Sequence, residues 1–292
     1  MKNLLSVIIP SYKDPFLHKT IDSIIKNFEG DFEIVVILDG YWTEFIDDPR
    51  LKIVHLGKNR GMRGAINAGV AVAKGDYLMR ADEHCLFAKG FDTTILKDIK
   101  DNEIVTATRF FLDPKKWEVM DIKPVQHEKL VIQGEMKFAG QRWPSRDKKQ
   151  KDVMISETMA MQGSCWFMKK SWWDKVIKRL ETENYGPLYQ DSHEMVFKTW
   201  KAGGRIMLNR NSWFAHKHRS FTRTHSNGTT ENPSNNSFSW GNALKIWREY
   251  YENEIKPKQD KMWYMTKYKQ GKNPNSRNGF EKGHKSILVR KT

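Results

Sequence analysis

The sequence predicts an α/β protein with a mostly parallel central sheet flanked by helices, and three observations carry that prediction. In the first eighty residues, short apolar runs rich in Val and Ile alternate with segments of helical period. The runs are continuously apolar rather than alternating, as strands covered on both faces must be. Helix-length crossovers separate most of them, so that neighbouring strands run the same way.

The elements follow in order. LLSVII, residues 4–9, is a first strand, and residues 16–28 are a helix with Phe16, Leu17, Ile21, Ile24, Ile25 and Phe28 at helical spacing. FEIVVIL, residues 32–38, is a second strand ending at Asp39-Gly40, and residues 51–56 are a short third. Residues 59–74 form an Ala- and Gly-rich helix, and a fourth strand starts at Tyr77. Beyond Cys85 the pattern loosens. Residues 103–111 and 161–168 read as strands, 171–180 as a helix, and KFAGQRWPSRDKKQKD, residues 137–152, as a polar basic loop. Residues 191–202 are a helix with Met195, Val196, Thr199 and Trp200 on one side, and a strand at 205–209 closes on Trp213-Phe214-Ala215-His216. A Ser/Asn/Thr/Gly stretch from 221 to about 239 is too polar to bury and reads as a mobile loop. Residues 242–255 form an amphipathic helix aligning Leu244, Trp247, Tyr251 and Ile255, and a basic tail without clear period starts at Lys256.

Composition narrows the classes. The 292 residues suffice for a substantial core, and the formal charge of +15 predicts affinity for polyanions: nucleic acid, an anionic membrane surface or a phosphorylated substrate. From Phe221 onward ten Lys and four Arg face five Glu and one Asp, so +8 of that charge lies in the last quarter of the chain. No window approaches the roughly 20 apolar residues that span a bilayer. The N-terminal MKNLLSVIIP has a short apolar run and no small-residue cleavage site, which fits a strand better than a leader. Cys85 and Cys165 make neither a disulfide framework nor a zinc spacing, so a reducing cytoplasm is the expected location. No helix-turn-helix, zinc-finger or RNA-recognition signature is present.

The chemistry concentrates in GDYLMRADEHC, residues 75–85, where an Asp, a Glu and a His follow a strand. Open α/β sheets bind ligands beyond the carboxyl ends of their strands. Asp82 and His84 share a side if the chain stays extended, because side chains alternate with period two. A carboxylate joined by an imidazole suits manganese better than magnesium.

With these parts in order, the chain resembles glycosyltransferase family 2 and its relatives of the GT-A (nucleotide-diphospho-sugar transferase) fold over residues 6–219. The segments that carry the resemblance are SVIIPSYKDPFLHKTIDSIIKN, EIVVILDG, NRGMRGAINAGVAVAKGDYL, QGSCWFMKKSWW and LYQDSHEMVFKTWKAGGRIMLNRNSWFAHKHR. Asp82-Glu83-His84-Cys85 is similar to the Asp-x-His-Cys of polypeptide N-acetylgalactosaminyltransferases rather than to Asp-x-Asp. The resemblance implies a divalent metal, Mn2+ with Mg2+ as the alternative, held by Asp82, His84 and His216 on the diphosphate of a nucleotide-sugar donor, a UDP-sugar by preference. It places Pro10, Ser11, Tyr12, Asp39, Arg63 and Asp82 on the donor, with Asp39 at the base and Arg63 towards the diphosphate. Asp191 and Glu194 are the implied catalytic acids. An acidic residue here is the general base of inverting members and binds sugar hydroxyls in retaining ones, and Asp191 as a plain helix cap is the third option. The implied organisation is a nucleotide-sugar-binding half at 1–105, an acceptor-binding half of the same domain at 106–220 and a basic C-terminal extension at 221–292.

For the acceptor, charge and aromatics point to nucleic acid, a modified base in DNA as in phage DNA-modifying transferases. Trp143 sits within the basic loop, and Trp240, Trp247, Trp263, Tyr264 and Tyr268 follow in the extension. Basic grooves bind phosphates, aromatic rings stack on exposed bases, and chemistry on a base requires flipping it. The partners expected are thus a nucleotide-sugar and DNA, in the cytoplasm, or the host cytoplasm for a phage-encoded chain. The enzymatic alternative is a cytoplasmic transferase of surface-polysaccharide or lipid-linked glycan synthesis whose tail makes peripheral contact with an anionic membrane. A third class is a non-catalytic DNA-binding protein on a transferase scaffold.

Overall fold

The computed structural model describes residues 3–45, 47–185, 190–218, 223–224, 230–231 and 237–268. Its first part is β1 (Leu5–Ser11), α1 (Leu17–Asn27), β2 (Phe32–Asp39), β3 (Leu51–Leu56), α2 (Gly61–Val72) and β4 (Tyr77–Ala81). There follow β5 (Cys85–Phe87), α3 (Phe91–Leu96), β6 (Glu103–Asp113), β7 (Glu118–Val119), β8 (Glu128–Gln133), β9 (Lys137–Arg142), α4 (Pro144–Lys149), β10 (Ile155–Glu157) and β11 (Cys165–Lys169). The rest comprises α5 (Lys170–Trp172), a π turn over Trp173–Ile177, α6 (Asp191–Lys201), β12 (Arg205–His216), α7 (Ser237–Tyr250), a second π turn over Tyr251–Ile255 and α8 (Lys256–Tyr268).

One sheet organises the chain, in the order β10-β12-β6-β11-β4-β1-β2-β3. The pairs β1–β2, β2–β3, β1–β4 and β6–β12 are parallel, whereas β11 runs antiparallel to both β4 and β6. Six strands therefore point one way and finish on a common edge. Both faces are covered, which is why the strands read as unbroken apolar runs. Along β1 and β2, Ile8, Val35 and Ile37 pack with Ile66 and Val70 of α2 on one face. Val7, Ile9, Ile34 and Val36 pack with Ile21 and Ile24 of α1 on the other. The sheet crosses residue 105 within β6, joining the two expected halves.

Three expectations need correction. The basic segment 137–152 is no loop: its first six residues pair as β9 with β8, its next stretch is α4, and Trp143 between them is buried. The cue is short, because Gly134 and Glu135 supply the two positive-φ residues of a tight hairpin turn. Next, the expected helix at 171–180 is α5 plus a π turn that ends at Lys178, whose φ is 60°. Finally, the segment after Lys256 is helical, as α8, through Tyr268. The expected amphipathic helix does form, as α7 and its π turn, burying Trp240, Ala243, Leu244, Tyr251 and Ile255 on the body. Most of the predicted loop at 221–239, and the tail beyond 268, lie outside the described residues.

Candidate metal and donor site

The common edge of the sheet collects the expected residues. Ser11 ends β1, Asp39 ends β2, Asp82 follows β4 and His216 ends β12. β12 runs parallel to β6 with a register shift between Asn209 and Trp213, and from Trp213 it resumes pairing to bring His216 opposite Phe111 of β6 and Cys85 of β5.

Asp82, His84 and His216 come together. His84 Nε2 lies 3.0 Å from His216 Nε2, His216 Nε2 lies 3.1 Å from Asp82 Oδ2, and His84 Nε2 lies 3.8 Å from the same oxygen. Adjacent ligands on an octahedral cation with bonds of about 2.1 Å stand about 3 Å apart, so the donor atoms have the spacing of a chelating set. Two imidazole nitrogens and a carboxylate oxygen are the donors of a borderline divalent cation such as Mn2+. The residues present fit the metal that the motif implies.

His84 is oriented from behind. Its Nδ1–H donates to Asp14 Oδ2 at 3.0 Å, which turns Nε2 towards the other two ligands. Asp14 is itself pinned by the Phe16 N–H, 2.9 Å from its other oxygen. Sequence reading passed over Asp14, although a carboxylate two residues past the wall residue Tyr12 was the available signal.

Arg80 was missed as well, and it controls the charge of the site. Its side chain is only 2% exposed, 2.6 Å from Asp82 Oδ1 and 3.5 Å from Asp191 Oδ2. Burial alone would raise the Asp82 carboxyl, but Arg80 and the His216 contact outweigh it and hold the group well below the usual carboxylate range. Burial drives His216 the other way, down to about 3 despite the Asp82 hydrogen bond, so its imidazole is neutral at pH 7. Gly163 makes room for the pairing, since a Cβ there would meet Arg80 Nη1 at 2.7 Å and Asp191 Oδ2 at 3.0 Å.

Asp191 opens α6 one residue after the cap position, which Gln190 occupies with φ 57°. It sits beside Arg80 rather than capping the helix. Glu194 and Arg63 stand elsewhere. Arg63, fully buried, makes a salt bridge to Glu194, donates to the Glu181 carbonyl at 3.0 Å and lies 4.1 Å from the Tyr185 ring. Lys198 also reaches Glu194 at 2.7 Å. The pair thus ties α2 to α6 inside the protein. The sequence expected Arg63 at the diphosphate and Glu194 at the reacting centre; in the structure the two pair with each other.

On the donor side, Pro10 is buried in β1 against Ile37, and Ser11 Oγ hydrogen-bonds the Tyr41 hydroxyl. Tyr12 is buried edge-on to Tyr41, with 6.3 Å between ring centroids. Asp39, 3% exposed, accepts the Arg60 N–H at 2.6 Å and so anchors the start of α2. Gly40 beside it has φ 79°, and a Cβ would strike the Asn59 nitrogen at 2.5 Å. Glu83, between the two metal-site residues, is buried and accepts the Tyr12 N–H at 3.4 Å.

Comparison with known proteins identifies the family and the fold. The family model for glycosyl transferase family 2 matches residues 6–177, more than half the chain. Glycosyltransferase GlyG of Streptococcus pneumoniae is 25% identical over 124 residues, 39% of this chain and 41% of that protein. Bovine polypeptide N-acetylgalactosaminyltransferase 6 is 23% identical over 210 residues, 66% of this chain and 32% of that one. The chain thus spans about a quarter to two fifths of the length of the curated relatives it matches. Among solved structures, GalNAc-T7 with UDP, GalNAc and Mn2+ superposes with a TM-score of 0.62 at 18% identity, covering 75% of this chain and 44% of that one. The architecture is therefore the GT-A fold. The chain belongs to glycosyl transferase family 2.

Proposed function

We propose that the protein is a metal-dependent glycosyltransferase that moves a sugar from a nucleotide-sugar, a UDP-sugar by preference, to an acceptor hydroxyl. The observation that carries this is the convergence of Asp82, His84 and His216 on the ligand-binding edge of a family 2 sheet. Bound there, a divalent cation such as Mn2+ supplies Lewis-acid stabilisation of the diphosphate that departs. The rest falls to side chains. Asp14 holds His84 in one tautomer, and Arg80 keeps Asp82 ionised as a hard oxygen ligand. The Ser11, Tyr12 and Tyr41 wall and Asp39 surround the strand ends where the donor's nucleotide would lie. Asp191, beside Arg80, is the carboxylate assigned to the acceptor hydroxyl or the transferred sugar. The test is a screen of nucleotide-sugar hydrolysis with and without Mn2+, using wild type and His84→Ala. Turnover should require the metal and fall at least a hundredfold in the variant; a wild type that neither binds nor turns over any donor ends the reading.

For the acceptor, the reading is a hydroxyl on a modified base of DNA, supported by the +15 charge and its bias towards the last quarter of the chain. Trp143 and Trp240 are buried and the partly buried Trp247 stacks on Phe197 at 5.1 Å, so these rings are held in packing contacts of the chain itself. The side chains of Trp263, Tyr264 and Tyr268 lie outside the described residues. A hydroxymethylated duplex should bind with affinity that falls steeply with salt. Transfer to a lipid or glycan acceptor, with no duplex retention at low salt, would reassign the acceptor to surface-glycan synthesis.

A further inference from the structure

Beside the metal site is a cavity of about 510 Å³ that the donor chemistry does not use. It is adjacent through His218, which stacks on Phe111 at 4.6 Å, lies 5.3 Å from the His216 ring and is 2.7 Å from Arg109 Nη1. On another side its lining runs through Gln162, next to the Gly163 that faces Arg80 and Asp191, and through Gln190 and Ser192, which flank Asp191.

Two of its lining residues carry buried polar atoms with no hydrogen-bond partner among the described residues: the Oε1 of Gln190 and both ring nitrogens of His193. Gln190 is 6% exposed, and its amide nitrogen is already spent on the Phe138 carbonyl at 3.1 Å. A buried polar atom is almost always hydrogen-bonded, so the usual expectation is a partner. Burial, opposed in part by Asp191, lowers His193 to about 4, leaving a neutral ring with one donor and one acceptor. Three cations, Arg109, Arg142 and Lys137, line the same space against one carboxylate, Glu128. Arg142 and Lys137 are held over aromatic rings, Phe111 at 5.3 Å and Trp240 at 4.2 Å, while Arg109 is 3.7 Å from Glu128.

We infer that this cavity is the acceptor subsite and takes a hydroxyl-bearing unit that carries a phosphate, the hydroxyl and ring groups meeting Gln190 and His193 and the anion meeting Arg142 and Lys137. The inference rests on the transfer reading above and sharpens it. A nucleotide unit of DNA and a free sugar phosphate share this chemistry. Planar guanidinium with an adjacent aromatic face suits either phosphate source.

Binding without donor tests it, by calorimetry with 5-hydroxymethyl-deoxycytidine 5′-monophosphate, the same compound without its phosphate, and glucose 6-phosphate. The nucleotide should bind at least tenfold tighter than the nucleoside, and Arg142→Ala, at an exposed position, should erase that difference. His193→Phe replaces the orphaned nitrogens with an apolar ring of similar shape, so melting temperature should hold or rise while nucleotide and nucleoside both weaken about tenfold. Glucose 6-phosphate binding as tightly as the nucleotide, with the same loss in Arg142→Ala, supports the site with a sugar phosphate as its source. Equal binding of nucleotide and nucleoside, variants that bind as wild type does, or no binding of either phosphate at millimolar concentration overturns the assignment. Donor turnover alongside any of these leaves the transfer reading standing; variant-sensitive phosphate binding without donor turnover on any nucleotide-sugar sinks the transfer reading alone.

Discussion

The donor edge and the acceptor cavity differ in how densely their polar groups are tied. At the edge, every residue named in the metal site is held by at least one hydrogen bond or ion pair: His84 has Asp14, Asp82 has Arg80 and His216, and Asp39 has the Arg60 N–H, while Arg80 Nε and His216 Nδ1 have no partner among the described residues. In the cavity, Gln190 is tied through its amide nitrogen alone and His193 through neither ring nitrogen. Removing the buried cation of a charge cluster leaves its carboxylates uncompensated, whereas orphaned groups cost stability until something binds them. Loss of the Arg80 charge at the edge should therefore damage stability and activity together, and substitutions in the cavity should separate the two.

The sharpest way to break that contrast is Arg80→Met. It leaves the carboxylates of Asp82 and Asp191 buried without their counter-charge, so unfolding free energy in urea should drop by about 3–5 kcal/mol. A stable, active Arg80→Met protein would show that the edge is not a network. Asp14→Asn is milder. It removes the carboxylate behind His84, and Mn2+ affinity, read by electron paramagnetic resonance, should weaken about 10–100-fold with little change in melting temperature. Gly163→Ala forces a Cβ between Arg80 and Asp191 and should cost about 1–3 kcal/mol of stability with a larger fractional loss of turnover.

The smallest effect concerns acid. His193 sits at about 4 in the folded chain against an ordinary value near 6.5, so between those pH values the unfolded chain binds the extra proton. Stability contributed by the neutral ring is complete above about 6.5 and is lost as pH falls towards 4. His193→Phe should flatten the fall of melting temperature across that window; an unchanged slope would place the acid sensitivity on other histidines.

Sequence was most informative where a residue's role depends on its neighbours in the chain. The Val and Ile runs of β1 and β2 state their own burial, and Asp82-x-His84 is a two-residue spacing that an extended segment converts directly into shared direction. His216 was indicated by the family resemblance of its segment rather than by its own neighbours, and it sits beyond the register shift in β12. What stayed hidden depends on long-range pairing. Arg63 reads as a cation reaching for the diphosphate until α6 supplies Glu194, 131 residues away. Arg80 reads as a break in an apolar strand until Asp191, 111 residues on, closes over it. The basic stretch 137–152 has a loop's composition, but pairing with β8 makes a strand of its first six residues and α4 follows the buried Trp143. His193 sits in a helix of ordinary period, and only the cavity in front of it distinguishes it from a core imidazole.

The ligand triad also has a folding consequence. His84 and Asp82 lie 132 and 134 residues from His216, so the set closes only after β12 has docked beside β6 and β5. Such distant pairings form late because loop closure must precede them. A cation that binds only the closed set acts as a clasp across the sheet, and by mass action it stabilises the finished topology in proportion to the logarithm of its concentration above Kd.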